Sequence, residues 1–223
     1  MVIAGCALSA VLVLGSCAPH LEAPVIDPEV DFAAHVDRRG IVVDRMAEYD
    51  TAVLVPHGSL FSRGPAFLLQ FDDHTIAALW FEDRDHVVVR KAADPNARVI
   101  GEVEEGSQHG AIRLTFNPAE GPGYRTGRFH RVDMFARESG LLGPQVATNL
   151  DLRGVYQAQV RDARGKAIGW LRVSIETDRR TPRIYNGVLP EEIDGSLAAA
   201  AVELINAEVD DIEHRAVDVH RGN

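Results

Sequence analysis

The chain has 223 residues and a formal net charge of −10. That acidity argues against nucleic acid as a partner, because neutralising phosphates needs a basic face, and anionic lipid headgroups would repel the folded part. Its two cysteines, Cys6 and Cys17, both lie near the N-terminus. The remainder has no thiol for a disulfide, a nucleophile, a Cys-ligated zinc or an iron–sulfur cluster.

Residues 2–16 carry no charged side chain. A run of this length falls short of the about 20 apolar residues that a permanent membrane helix needs, and it fits a cleaved export signal. It ends in Leu14-Gly15-Ser16-Cys17, a large aliphatic residue and two small residues before a cysteine. These four residues resemble the lipobox of bacterial lipoproteins. The resemblance implies a signal peptide over residues 1–16, cleavage before Cys17 and a diacylglycerol on its sulfur. Two or three acyl chains hold a protein durably where one holds it marginally. Ala18 in the next position implies passage to the outer membrane, facing the periplasm. Ile3-Ala4-Gly5-Cys6 also fits the four-residue pattern but has no apolar core before it.

Residues 17–27 read as the lipidated cysteine and an extended, proline-containing tether. Beyond the tether about 195 residues remain, enough for one large or two small cores. Asp27-Pro28-Glu29 has the order of a helix start, with Phe32 and Val36 one turn apart, and predicts a short helix. Short apolar runs then follow at 40–44, 52–55, 66–71, 74–81, 86–90, 98–103, 111–116 and 128–136, separated by Asp, Gly, Pro and Asn. They predict an antiparallel meander. Ile112, Leu114 and Phe116 alternate with Arg113 and Thr115, as a half-buried strand requires.

Residues 138–145 are the expected boundary between a strand-rich unit, 28–140, and a second unit, 146–223, which can also be read as continuous with the first. The second predicts strands at 152–160, 167–176 and 183–188, the first two joined by a turn at 162–166. A helix follows from Pro190 to about Glu208, with Ile193, Leu197, Ala201, Leu204 and Ile205 as its apolar stripe. A last strand at 212–219 completes the expectation, and the intervening helix allows it to lie parallel to an earlier strand. The fold class predicted is thus α+β and strand-rich, with antiparallel meander sheets, a C-terminal helix packed on the sheet and a final strand.

The chemistry is sparse. His57 and Ser59 are close in sequence, yet no G-x-S-x-G elbow or histidine-pair metal motif occurs. No cofactor and no metal are expected. The pointed feature is residues 121–133, where Arg125, Arg128, His130 and Arg131 interleave with Tyr124 and Phe129 beside three glycines. Guanidinium groups beside glycine-rich backbone suit a carboxylate or phosphate, so these four residues are the candidate anion site. The competing reading is a strand's solvated face. The function expected is a membrane-anchored periplasmic lipoprotein with a non-catalytic binding, scaffolding or assembly role. Its partners would be an envelope protein, an anionic glycan or a lipid headgroup; the alternative is a periplasmic hydrolase acting on an envelope component.

Overall fold

The structure, a computed structural model, describes residues 30–37, 40–45, 51–58, 63–106, 112–132, 154–175 and 183–221, with side chains of the last helix described through Asp211. Its strands in chain order are β1 Phe32–Asp37, β2 Gly40–Arg45, β3 Ala52–Pro56, β4 Phe67–Phe71, β5 His74–Phe81, β6 His86–Arg90 and β7 Val99–Glu105. After them come β8 Leu114–Pro118, β9 Tyr124–Thr126, β10 His130–Arg131, β11 Gly154–Arg161, β12 Ala167–Ile175 and β13 Ile184–Val188. One helix, α1 Gly195–Arg221, ends the described chain.

Each strand from β1 to β8 pairs antiparallel with the next, and β11, β12 and β13 do the same. Two pairings between distant parts of the chain close the ring. β13 lies antiparallel to β1, with Phe32 opposite Gly187, and β9 lies against β11, with Arg125 opposite Arg161. β10 continues along the same side of β11, with His130 opposite Gln157, so β9 and β10 form one interrupted stave. The result is a closed antiparallel barrel of 12 staves.

This corrects the α+β expectation. Alternation along the sequence identifies strands, but whether a sheet stays open or closes depends on pairings such as β13 with β1, which no local pattern encodes. The helix expected near residues 28–36 is strand β1. Phe32 and Val36 share a face at helical spacing, but residues four apart also share a face in a strand, and Phe32 and Ala34 alternate into the core. The strand expected at 212–219 is the continuation of α1. No Gly or Pro interrupts residues 196–221, and the first breaker is Gly222. With that strand gone, no parallel crossover exists among the described strands. The boundary expected at 138–145 lies outside the described residues; the strands on either side of it belong to the same ring.

The barrel's interior is apolar. Ile41 and Val43, Leu69, Leu79, Val87 and Val89, Phe116, Val160, Leu171 and Tyr185 all join one buried cluster. Six consecutive residues of α1, Leu197 to Val202, join it too, each with at most 2% exposure. Six residues at 100° each cover the whole circumference of a helix, so this half is enclosed on every side rather than laid on one. It packs against β1 and β2 and also against β6, β7 and β8, which stand about half a ring away. The helix therefore runs inside the barrel.

Barrel size explains why. Eight staves are filled by side chains alone and sixteen leave a channel, so twelve leave a space that a helix about 10 Å across can fill. The four alanines Ala198–Ala201 keep that helix slim, and at Gly101 of β7 a Cβ atom would stand 3.1 Å from Leu197 Cδ1. The helix begins at Asp194, whose carboxylate accepts hydrogen bonds from the Ser196 and Leu197 amides at 2.8 and 3.2 Å. That N-cap lies four residues beyond the Pro190 start read from the sequence.

Candidate functional site

Cys17 and Ser59 lie outside the described residues; His57 is exposed just past β3. The four residues of the expected anion site divide between the two faces of the barrel wall. Arg125 on β9 is exposed and stands opposite Arg161, and Arg128 is exposed between β9 and β10. His130 stands opposite Gln157 on the outward row. Arg131 stands opposite Tyr156, which belongs to the buried cluster, and it is two residues from Phe129, which also does. The wall thus groups Arg125, Arg128 and His130 outside and puts Arg131 on the inward row.

Two further arginines, missed in the sequence, join the outer group. Arg161 stands beside Arg125, and Arg172 of β12 stands opposite Gln157 in the same row as His130. Between them Gln159 faces Trp170, and the Arg172 guanidinium lies 4.8 Å from the centre of the Trp170 ring. Their signal was present in the alternation of β11 and β12, but the cross-strand register that aligns them with Arg125 comes only from the closed ring.

These guanidinium groups are held by neutral acceptors. Arg161 donates to Gln159 Oε1 at 2.8 Å and to the Gly165 carbonyl at 3.2 Å. Arg172 donates from Nε and Nη2 to Gln157 Oε1 at 3.2 and 2.9 Å. Amide and carbonyl oxygens fix a guanidinium in place without cancelling its charge. The acid nearest in sequence, Asp162, is occupied by the Arg164 and Lys166 amides of the turn. Directly opposed like charges, as at Arg125 and Arg161, weaken a strand pair unless an anion lies between them.

The interior offers different chemistry. Near the second half of α1, burial pushes the Glu203 carboxyl up to about 8, with Asp210 adding to the shift, and burial beside Glu208 and Asp85 pushes Glu105 up to about 7. Tyr185, fully buried, is raised as well, chiefly by desolvation. These groups belong to the wall and the helix that fills it. A groove of 440 Å³ lies outside, between Lys91, Arg98, Glu120 and Glu191. Of its polar groups, Arg98 pairs with Glu120, and Asp194 caps the helix.

No protein-family model, curated protein or solved structure matches the chain.

Proposed function

We propose that this chain is a lipoprotein of the bacterial cell envelope, anchored through Cys17 and facing the periplasm, whose barrel is a non-catalytic binding or scaffolding module. The observation that carries the binding part is the occupied interior: with α1 packed inside the barrel, ligand contact falls to the outer wall. The wall of β7 to β12 points Glu102, Glu104, Asn117, Arg125, Gln157, Arg161 and Arg172 outward. A barrel that spans a membrane turns an apolar band outward and its polar side chains in. The polar outer row of β7 to β12 departs from that pattern and supports a barrel held beside the membrane by a lipid, while β3 to β6 turn Val55, Leu68, Ala78 and Val88 outward. Closing the ring also leaves little free strand edge for pairing with another chain.

The wall of β9, β11 and β12 suits an anionic envelope component. Arg125, Arg161 and Arg172 supply charge, His130 and the glutamines supply hydrogen bonds, and Trp170 supplies a flat apolar face for a sugar ring or an acyl-glycerol. Two measurements test the reading. Mass spectrometry of the mature N-terminus is expected to find an acylated Cys17, and an unmodified peptide starting elsewhere removes the anchor. Titration of the full-length chain against phosphatidylglycerol vesicles and a phosphorylated envelope glycan is expected to show salt-sensitive binding. Replacing Arg125, Arg161 and Arg172 together by Gln should weaken it at least tenfold; equal binding by wild type and variant, or binding by neither, removes the site.

A further inference from the structure

We propose a divalent-cation site of the zinc or manganese class on the outer wall of β6 and β7, formed by His86, Glu102 and Glu104. The strand register builds it. His86 stands directly opposite Glu104, while Glu102, two residues earlier on β7, stands opposite Val88 and shares the outward face with Glu104. One ligand atom from each of the three lies within 4.8 Å of the others. Donors on a single zinc ion are about 3.4 Å apart, as bonds near 2.1 Å in a tetrahedron require, so small side-chain rotations close the set.

Two observations separate this cluster from an ordinary charged surface. His86 Nε2 is shielded from solvent and makes no hydrogen bond among the described residues, although it lies 3.4 Å from Glu102 Oε2. A shielded ring nitrogen facing two carboxylates is an unused lone pair or an unused proton, and a metal ion satisfies the first. The second observation is the pairing of two acids. Glu102 and Glu104 stand two residues apart on one face, their direct β8 partners, Asn117 and Thr115, are uncharged, and the nearest arginine in the row, Arg125, stands one strand further on, across Thr115. One imidazole with two carboxylates suits a borderline cation that accepts nitrogen, whereas calcium and magnesium prefer all-oxygen sets. Three protein ligands leave a coordination position open for water or for a donor from another molecule.

Zinc chloride and manganese chloride titrated into the full-length chain in detergent, followed by calorimetry and by metal analysis after equilibrium dialysis, test the site. The expected result is saturable uptake of one ion per chain, weakened at least tenfold by His86→Ala and by Glu102→Gln combined with Glu104→Gln. Replacing His57 by Ala should leave uptake unchanged. The substitutions are on the outer wall, and an unaltered circular dichroism melt shows that the variants fold. No saturable uptake below millimolar metal, or equal uptake by wild type and the His86 variant, overturns the proposal. Equal affinity for magnesium and zinc overturns it too, because it means that the imidazole takes no part.

Discussion

The two halves of α1 are held by opposite means. From Leu197 to Val202 the helix is apolar on every side and makes only close contacts with the wall. From Glu203 onward it carries Asn206, Glu208, Asp210 and Asp211, and the wall answers with arginines: Arg183 donates to Asn206 Oδ1 at 2.6 Å and lies 2.7 Å from Asp210, and Arg84 lies 2.6 Å from Asp211. Arg183 precedes β13 and Arg84 sits in the turn between β5 and β6, so these pairs reach the helix from different parts of the ring. The first half shows how a barrel fills its interior, and the second how an inserted helix is fixed where water begins to reach it. Leu204 and Ile205 continue the buried apolar side into the second half, so removing packing there should cost far more than removing one of the charges beside it.

The largest effect is expected at Leu204, which is 1% exposed and belongs to the central cluster. Leu204→Ala should lose about 2–5 kcal/mol of folding stability, as emptied leucine sites do when the surroundings cannot collapse. A ring of paired strands has little freedom to collapse, which favours the upper part of that range. Urea denaturation measures the loss, and a value below about 0.5 kcal/mol would mean that the helix does not support the barrel from inside.

A pH titration sharpens the contrast next. The Glu203 carboxyl rises to about 8 in the folded chain, from 4.5 when unfolded, mainly through burial. Below about pH 4.5 it is protonated in both states. Between there and pH 8 the unfolded chain gives up its proton while the folded chain keeps it, so stability falls as pH rises and is fully reduced above pH 8. Glu105, raised to about 7, acts in the same direction over a narrower window. Glu203→Gln removes the larger of these contributions. It should add about 1–3 kcal/mol at pH 8.5 and almost nothing at pH 4.5, and a variant that is no more stable than wild type at pH 8.5 would show that Glu203 is hydrated.

How much of this was legible in the sequence follows the range of the interactions involved. The hairpin of β11 and β12 could be read directly, because alternation of Tyr156, Ala158 and Val160 with Gln157 and Gln159 is local, and so is the turn at Asp162. The stripe of Ile193, Leu197, Ala201 and Leu204 was legible as buried. Its enclosure was not, since an alanine run is compatible both with lying on a sheet and with lying inside a ring. The site divides in the same way. Arg125, Arg128 and His130 are close in sequence and could be grouped by reading, but Arg161 and Arg172 join them only through the closing pair of β9 and β11. His86 and Glu102 were invisible as a pair because register, not spacing, brings them together.

The smallest effects come from comparing the two arginines that hold the second half of α1. The Arg183 side chain is 15% exposed and meets both Asn206 and Asp210 on the helix; Asp210 is 49% exposed, so the shielded part of this anchor is the hydrogen bond to Asn206. Arg84 is 59% exposed and its partner Asp211 is 31% exposed, so solvent and salt weaken their attraction, even though the pairing raises the arginine's own affinity for its proton. Arg183→Ala should therefore cost about 1–3 kcal/mol, the usual range for charge-assisted hydrogen bonds shielded from water. Arg84→Ala should cost about 0.2–1 kcal/mol and less at high salt. Urea denaturation of both variants at low and high salt separates the two contributions. The order matters more than either value: if Arg84 were the costlier loss, the anchoring of the helix would come from its solvent-facing side, and the half-buried Arg183, Asn206 and Asp210 network would be a consequence of insertion rather than one of its supports.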